Sequence, residues 1–514
     1  MLRSACLVVC ASLLAACASF APPPDPAWDD IATLQARMAA GALSATQLTE
    51  RFLARIDALD DRGPTLRAVV EINPDALALA RELDAERAAG RVRGPLHGIP
   101  VLLKDNIDTG DRMLTTAGSF ALVDSRPADD AFVVARLRAA GAVILGKTNL
   151  SEWANFRSTR ATSGWSARGG QTRNPYGRER NPCGSSAGSA VAVAVAMTAV
   201  AVGTETNGSI TCPASATGVV GMKPTVGLVS RDGIVPISIS QDSAGPLARS
   251  VADAAALLQA MAAWDADDPA AAPVRRIPDF GAALDADALT GARIGIARSM
   301  AGFDAATDAL FERALGVLRA AGATLVEVEL KMPAGFNDDA FTVLLHEFRA
   351  GIDAYLATRD GPPRTLPQLI AFNRAHAALE MPHFGQEIFL LAAAVGSLDD
   401  PAYRDAYARS RRAARADGID RTMREHALDA IVAPTMAPAW RTDYARGDDY
   451  RGGGASAPPA VAGYPHITLP MGDVDGLPVG LSFFAGAYSD ARLLGFAYAY
   501  EQRAGLRMRP VLAE

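Results

Sequence analysis

The chain is poor in the groups that carry metal and nucleic-acid chemistry. Its 514 residues include only 6 histidines and 5 cysteines. The histidines stand at 97, 346, 376, 383, 426 and 466, and none forms an HExxH or similar ligand pair, so no zinc site is expected. Basic residues (50) are outnumbered by acidic ones (57), giving a net charge of −7, and they form no cluster. Nucleic acid is therefore not an expected partner. Two apolar runs, 5–16 and 187–202, fall short of the ~20 strongly apolar residues that a membrane span needs.

What is present is ordinary globular composition: 49% hydrophobic and 21% charged residues. Such a chain can bury a large core, and global disorder is excluded. The length suits two or three domains or one large α/β unit. The first segment reads as an export signal. Arg3 starts it, an apolar stretch follows, and it ends at Leu14-Ala-Ala-Cys17, which resembles a bacterial lipobox. The expectation is a lipoprotein signal peptide over 1–16, lipidation at Cys17 and a stiff Pro-rich tether over 17–28. With Ala18 rather than Asp after the cysteine, the expected location is the periplasmic face of the outer membrane, with Cys17 as the only membrane attachment. Cys6, Cys10 and Cys17 belong to this leader; Cys183 and Cys212 remain, each beside a serine cluster. In an oxidising compartment they could pair; the preferred reading is two buried, packed thiols.

The body, 29–508, alternates strands and helices. Ser44-x-x-Gln47 is a capping box for a helix that places Leu48, Phe52 and Ile56 on one face. Val101-Leu-Leu-Lys104 reads as a buried strand ending in a charge, with a lysine that snorkels to solvent as the plainer alternative. A helix over 129–140 and a strand over 142–145 follow, ending in Gly-Lys147. This rhythm argues for a parallel or mixed sheet. Residues 219–220 and 227–230 read as short extended pieces, and Ser250 opens a helix. Further strands are expected at 293–297, 324–330, 430–432, 466–469 and 479–483. A mostly helical insert is expected around 340–423, and no internal repeat is visible.

The densest chemistry lies in 181–213: Asn-Pro-Cys-Gly-Ser-Ser-Ala-Gly-Ser, an Ala/Val run, then Gly-Thr-Glu-Thr-Asn-Gly-Ser-Ile-Thr-Cys-Pro. Glycine beside serine lets backbone N–H groups approach a ligand, because no Cβ blocks the way. The run 187–202 reads as a helix buried on all sides. Thr206-Asn-Gly-Ser209 sets successive N–H groups before a serine, a turn able to hold an oxyanion. A serine nucleophile needs a base. With no recognisable histidine triad, a lysine whose pKa is lowered by burial can serve; Lys104 is the candidate and Lys147 its rival. Gly184-Ser-Ser-Ala-Gly188 also matches the G-x-S-x-G nucleophile elbow. That motif requires a strand directly before it, and residues 176–182 read as loop.

Five stretches in this order resemble the amidase signature family over roughly residues 30 to 505. They are Gly94-Pro-Leu-His-Gly-Ile-Pro-Val-Leu-Leu-Lys104, Gly146-Lys-Thr-Asn-Leu-Ser-Glu-Trp-Ala154, Cys183-Gly-Ser-Ser-Ala-Gly-Ser189, Gly203-Thr-Glu-Thr-Asn-Gly-Ser-Ile210 and Gly218-Val-Val-Gly-Met-Lys-Pro-Thr225. Within the family, bacterial peptide amidases are most similar, through Gln171-Thr-Arg-Asn-Pro, Ser-Ile-Thr-Cys-Pro213 and Val-Gly-Leu-Val-Ser-Arg-Asp-Gly233. The resemblance implies one α/β/α domain with a central twisted mixed sheet covered by helices on both faces. It implies a serine amidase without metal or cofactor, acting on peptide C-terminal amides. Its triad would be Ser209 as nucleophile, Ser185 as a bridging residue after a cis peptide bond, and Lys104 as base. The N–H groups of Thr206, Asn207, Gly208 and Ser209 would hold the oxyanion. A broad aliphatic or aryl-acyl amidase is the alternative within the family, and a non-catalytic binding lipoprotein the alternative outside it. Asn207 stands where the family usually has Gly or Asp, and Thr211 where many members have Arg that could pair with Glu205. Ser163, His346 and His383 are secondary candidates for lining the site; Trp153 and Trp165 are expected in the core.

Overall fold

A computed structural model describes residues 25–512 except 272, 273, 275 and 451. The signal peptide, Cys17 and most of the Pro-rich tether lie outside the described residues. The strands are β1 (Val69–Ile72), β2 (Pro100–Lys104), β3 (Val143–Thr148), β4 (Trp165–Ser166), β5 (Gly170–Gln171), β6 (Val200–Glu205) and β7 (Val220–Lys223). They continue as β8 (Ser243–Ala248), β9 (Arg293–Ala297), β10 (Thr324–Val328), β11 (Ala430–Pro434), β12 (His466–Val474) and β13 (Leu477–Phe484). Eleven of them form one sheet in the order β1-β3-β2-β6-β8-β7-β12-β13-β11-β9-β10, and β4 pairs with β5 in a separate ribbon. The sheet is mixed: β2 runs parallel to both β3 and β6, whereas β6 and β8 are antiparallel. Helices flank the sheet, as expected for this α/β architecture.

Local chemistry accounts for many boundaries. Ser44 and Gln47 form the expected capping box, with Gln47 N–H donating to Ser44 Oγ (3.0 Å) and Ser44 N–H to Gln47 Oε1 (2.9 Å). The helix they start, Ala45–Ile56, buries Leu48, Phe52 and Ile56. Ser250 caps Val251–Met261 by accepting from Asp253 N–H. Between 336 and 425 the described residues are helices and turns, beginning with Phe336–Ala357. These helices build a second apolar cluster, in which Trp153 meets Phe389 edge-on and Phe389 stacks on Phe348.

Two expectations are corrected. The buried run 187–202 is not one helix: the helix Ala187–Ala194 ends, the chain reverses, and β6 begins at Val200. Ala196 takes a left-handed φ of 56° at the reversal. Val200 and Val202 are β-branched and sit between β2 and β8, where packing favours a strand. The segment 227–230 is turn rather than strand; Leu228 N–H closes it by donating to Thr225 O.

Candidate active site

The site forms where β2 and β6, parallel neighbours, end. In open α/β sheets the carboxyl ends of parallel strands are the usual ligand crevice. Lys104 is the last residue of β2, and Thr204 and Glu205 are the last residues of β6. All of β2 is buried, Lys104 included, so its side chain does not snorkel. Lys104 Nζ lies 2.7 Å from Ser185 Oγ, 2.9 Å from Thr204 Oγ1 and 3.2 Å from Thr204 O. Burial pulls the Lys104 pKa down to about 7, against the opposing pull of Asp242 and Glu205. Burial thus favours the neutral amine, the form able to accept a proton.

Ser185 follows a cis peptide bond from Gly184, and residues 181–183 before it form no strand. The strand-turn-helix context of a nucleophile elbow is absent there. The segment is held from three sides. Ser151 N–H donates to Ser185 O (3.0 Å), Ser186 N–H donates to Ser209 O (3.0 Å), and Ser186 Oγ donates to Thr204 O (3.0 Å). The Ser186–Ser209 bond brings the two serine clusters side by side. It also places Cys183 and Cys212 with their Cα atoms 5.9 Å apart, and they form a disulfide. This corrects the reading of two packed thiols: proximity of the clusters puts the sulfurs within bridging geometry.

Ser209 ends the turn 206–209 and is 9% exposed, whereas Lys104 and Ser185 are fully buried. Among the described residues no hydrogen bond consumes the backbone N–H of Thr206, Asn207, Gly208 or Ser209. Gly208 supplies the left-handed step of the turn, with φ 82°. Asn207 therefore does not need the left-handed tolerance of its residue type. Its Oδ1 instead accepts from Ser456 Oγ at 2.8 Å, and the side chain is exposed at the mouth. Two carboxylates, half-buried Asp242 and buried Glu205, fix the flanks. Thr206 Oγ1 donates to Asp242 Oδ1 (2.6 Å), and Glu205 Oε2 accepts from Ile210 N–H (2.8 Å) and Thr211 N–H (2.9 Å). Thr211 Oγ1 adds a bond to the same oxygen (3.2 Å), so Thr211 engages Glu205 without an arginine.

Lys147, the rival base, is buried elsewhere. It donates to Ile107 O (2.6 Å) and Thr115 Oγ1 (2.8 Å), and burial lowers its pKa while Asp105 and Asp108 raise it. Ser163 packs against Gly184, where an added Cβ would come within 3.2 Å of it, and donates to Asp448 Oδ2. His346 bonds Thr342 O within its own helix, and His383 stacks on Tyr444. Trp153 is core, as expected, and Trp165 is buried against His383 and Phe384. Thr204, Asp242, Ser151 and Ser456 were not singled out by the sequence. Thr204 lies inside a quoted motif, but Asp242 and Ser456 come from distant segments with no motif of their own.

The amidase family model matches residues 47–494. The chain belongs to the amidase family. It is similar to a peptide amidase from Stenotrophomonas maltophilia, with 54% identity and a TM-score of 0.91, over 95% of this chain and 99% of that one. A peptide amidase solved with the competitive inhibitor chymostatin is 56% identical, with a TM-score of 0.92 and the same coverage of 95% and 99%. A probable amidase of Arabidopsis thaliana is 41% identical over 91% of this chain and 88% of its own length. This amidase is accordingly a hydrolase of amide C–N bonds, built on the amidase-signature fold.

Proposed function

We propose that the chain releases ammonia from the C-terminal amide of peptides, with Ser209 as nucleophile, Ser185 as proton bridge and Lys104 as base. The observation that carries this reading is the 2.7 Å contact between buried Lys104 Nζ and Ser185 Oγ. A neutral amine has two N–H donors and one lone pair. Thr204 O and Oγ1 suit the two donors, which leaves the lone pair facing the Ser185 hydroxyl. Ser185 then passes its proton to Lys104 and takes the proton of Ser209 as Ser209 Oγ attacks the amide carbon. The unused N–H groups of 206–209 stabilise the oxyanion, each donor contributing about 3 kcal/mol. The C–N bond breaks as the proton returns through Ser185 to the departing ammonia. Water hydrolyses the acyl ester by the same relay.

Similarity to peptide amidases supports the peptide-amide substrate over the alternative of a broad aliphatic or aryl-acyl amidase. We also propose export and lipid anchoring at Cys17, on the periplasmic face of the outer membrane. The leader pattern supports it, and so does the Cys183–Cys212 disulfide, since such bonds persist in oxidising compartments. The test of function is ammonia release from a peptide amide by Ser209→Ala. Loss of at least about a thousandfold with an unchanged circular dichroism spectrum is expected; full activity overturns the assignment. Failure of Ser209 to label with a fluorophosphonate would favour a binding lipoprotein, and a panel of peptide amides, simple amides and anilides separates the two amidase readings.

A further inference from the structure

A cavity of about 550 Å³ lies away from the Lys104–Ser185 pair, lined among others by Tyr403, Tyr407, Arg411, Arg415, Ser240 and Gly463. Its charge arrangement is unusual. Arg411 and Arg415 stand four residues apart, at the end of the helix Pro401–Ala414 and just beyond it. Arg411 has its guanidinium 5.3 Å from the Tyr407 ring, and its Nη1 is buried with no hydrogen-bond acceptor among the described residues. Arg415 donates Nε to Ala462 O (2.6 Å) and lies 4.9 Å over the Tyr464 ring. Burial, and then the neighbouring Arg411, draw the Arg415 pKa below its ordinary value.

The acids nearby are hydrogen-bonded to other groups, and of these Asp420 offsets part of the lowering of the Arg415 pKa. Arg231, also on the cavity wall, pairs with Asp268. Glu347 accepts from Ser240 N–H (3.1 Å), Ser240 Oγ (2.9 Å) and Tyr403 OH (2.8 Å). Asp420 accepts from Tyr464 OH (2.9 Å). Two like charges held together, one with a donor unsatisfied, are stabilised by an anion placed between them, and planar guanidinium groups match carboxylate and phosphate oxygens. Apart from Thr225 the rest of the wall is mainly apolar: Val226, Pro269, Ala270 and Ala487, with Ile239 and Tyr488 exposed by 44% and 47%.

We infer that this cavity binds an organic anion, a carboxylate or phosphate carried on an apolar or aromatic body, through Arg411 and Arg415. Its walls are hydrogen-bonded to the oxyanion turn. Ser238, which bonds Glu347, and Ile237 donate their N–H groups to Asp242 Oδ2 (2.8 Å each), and the other oxygen of Asp242 holds Thr206. Gly463 ends the helix Ala457–Ala462, whose preceding residue Ser456 holds Asn207. The anion is either an acidic group of the amide substrate itself or a separate small molecule.

Titration calorimetry on the full chain in the Ser209→Ala background reads binding without turnover, so its outcome is independent of the peptide-amide assignment. Benzoate and phenyl phosphate are the probes, with benzyl alcohol as the neutral control. One anion per chain should bind, weaken with added salt, and weaken at least tenfold in Arg411→Ala, or in Arg411→Gln should the alanine variant not fold. A second arm compares kcat/KM for acetyl-Glu-Phe-amide and acetyl-Gln-Phe-amide in the active enzyme. A preference for the Glu peptide that disappears in the Arg411 variant assigns the anion to the substrate. Probe binding without that preference assigns it to a separate small anion. The inference is overturned if neither probe binds and the two peptides are cleaved equally, or if probe binding is unchanged in the Arg411 variants.

Discussion

Ser186 N–H donates to Ser209 O across 3.0 Å, joining through main chain the two serine clusters that the sequence separates. Thr204 completes the arrangement from β6: its carbonyl accepts from both Ser186 Oγ (3.0 Å) and Lys104 Nζ (3.2 Å). One strand end thus sets the positions of the base and of the segment that carries Ser185.

The first prediction concerns Lys104 and pH. Its pKa, drawn down by burial, is about 7. The neutral form accepts the proton, so kcat/KM should rise about tenfold per pH unit below 7 and level off above it. Lys104→Met should remove the rise and lower kcat by about a hundredfold or more. Lys104→Arg should fare no better, because arginine stays protonated. A profile that is flat between pH 5 and 8 in the parent enzyme would refute Lys104 as the base.

Thr206→Val tests the support of the oxyanion turn. The change removes the 2.6 Å bond to Asp242 and leaves a half-buried carboxylate oxygen without that donor. Burial already raises the Asp242 pKa, with the Thr206 bond as the largest opposing influence. Stability should fall by about 1–3 kcal/mol. If the bond aims the N–H groups, kcat should drop about tenfold with KM little changed, and Thr206→Ser should recover most of it. Steady-state kinetics beside denaturant melts separate the two effects.

Gly184 is required by space. A Cβ there would lie 2.1 Å from Ser151 Oγ and 3.2 Å from Ser163 Cβ. Ser151 cannot simply rotate away at no cost, since its Oγ accepts from Gly164 N–H at 2.8 Å. Gly184→Ala should therefore displace Ser185 from Lys104 and lower kcat by about a hundredfold. The double variant Gly184→Ala/Ser151→Gly relieves the closer clash and should recover part of the rate. Equal rates for parent and single variant would show that the segment tolerates displacement.

Much of this was legible in the sequence because short-range chemistry dictated it. The Ser44 capping box, the Ser250 cap and the apolar run into Lys104 carry their signals within a few residues. The apolar strand end led to Lys104, the Gly-Ser turn to 206–209 and the family resemblance to Ser185, and the fold brings all three into one region. What stayed hidden depends on distant partners. β8, Ser-Ala-Gly-Pro-Leu-Ala, has no β-branched residue and contains Gly245 and Pro246, yet it is a strand because β6 and β7 pair on either side of it. The run 187–202 is apolar or small apart from Thr198, and burial on every side erases the periodicity that separates helix from strand. Asp242 and Ser456 reach the turn only through tertiary contact.

The disulfide gives the last prediction. Cys183 lies two residues before Ser185 and Cys212 three after Ser209, so the bond staples the segments that carry both serines. It closes a loop of 29 residues, for which the restriction of the unfolded chain is worth about 3.6 kcal/mol. Cys212→Ser, or reduction of the parent enzyme, should lower the melting temperature by several degrees. Because Ser186 N–H still bonds Ser209 O, the fold should survive, and the loss should appear as a lower kcat when the staple is what holds the serines in register. Melting curves and ammonia-release rates with and without reductant, run in parallel on the Cys183→Ser/Cys212→Ser double variant, distinguish this from nonspecific damage: the double variant should match the reduced enzyme and be insensitive to further reductant. A reduced enzyme with the parent's melting temperature and rate would show that the bond contributes to neither.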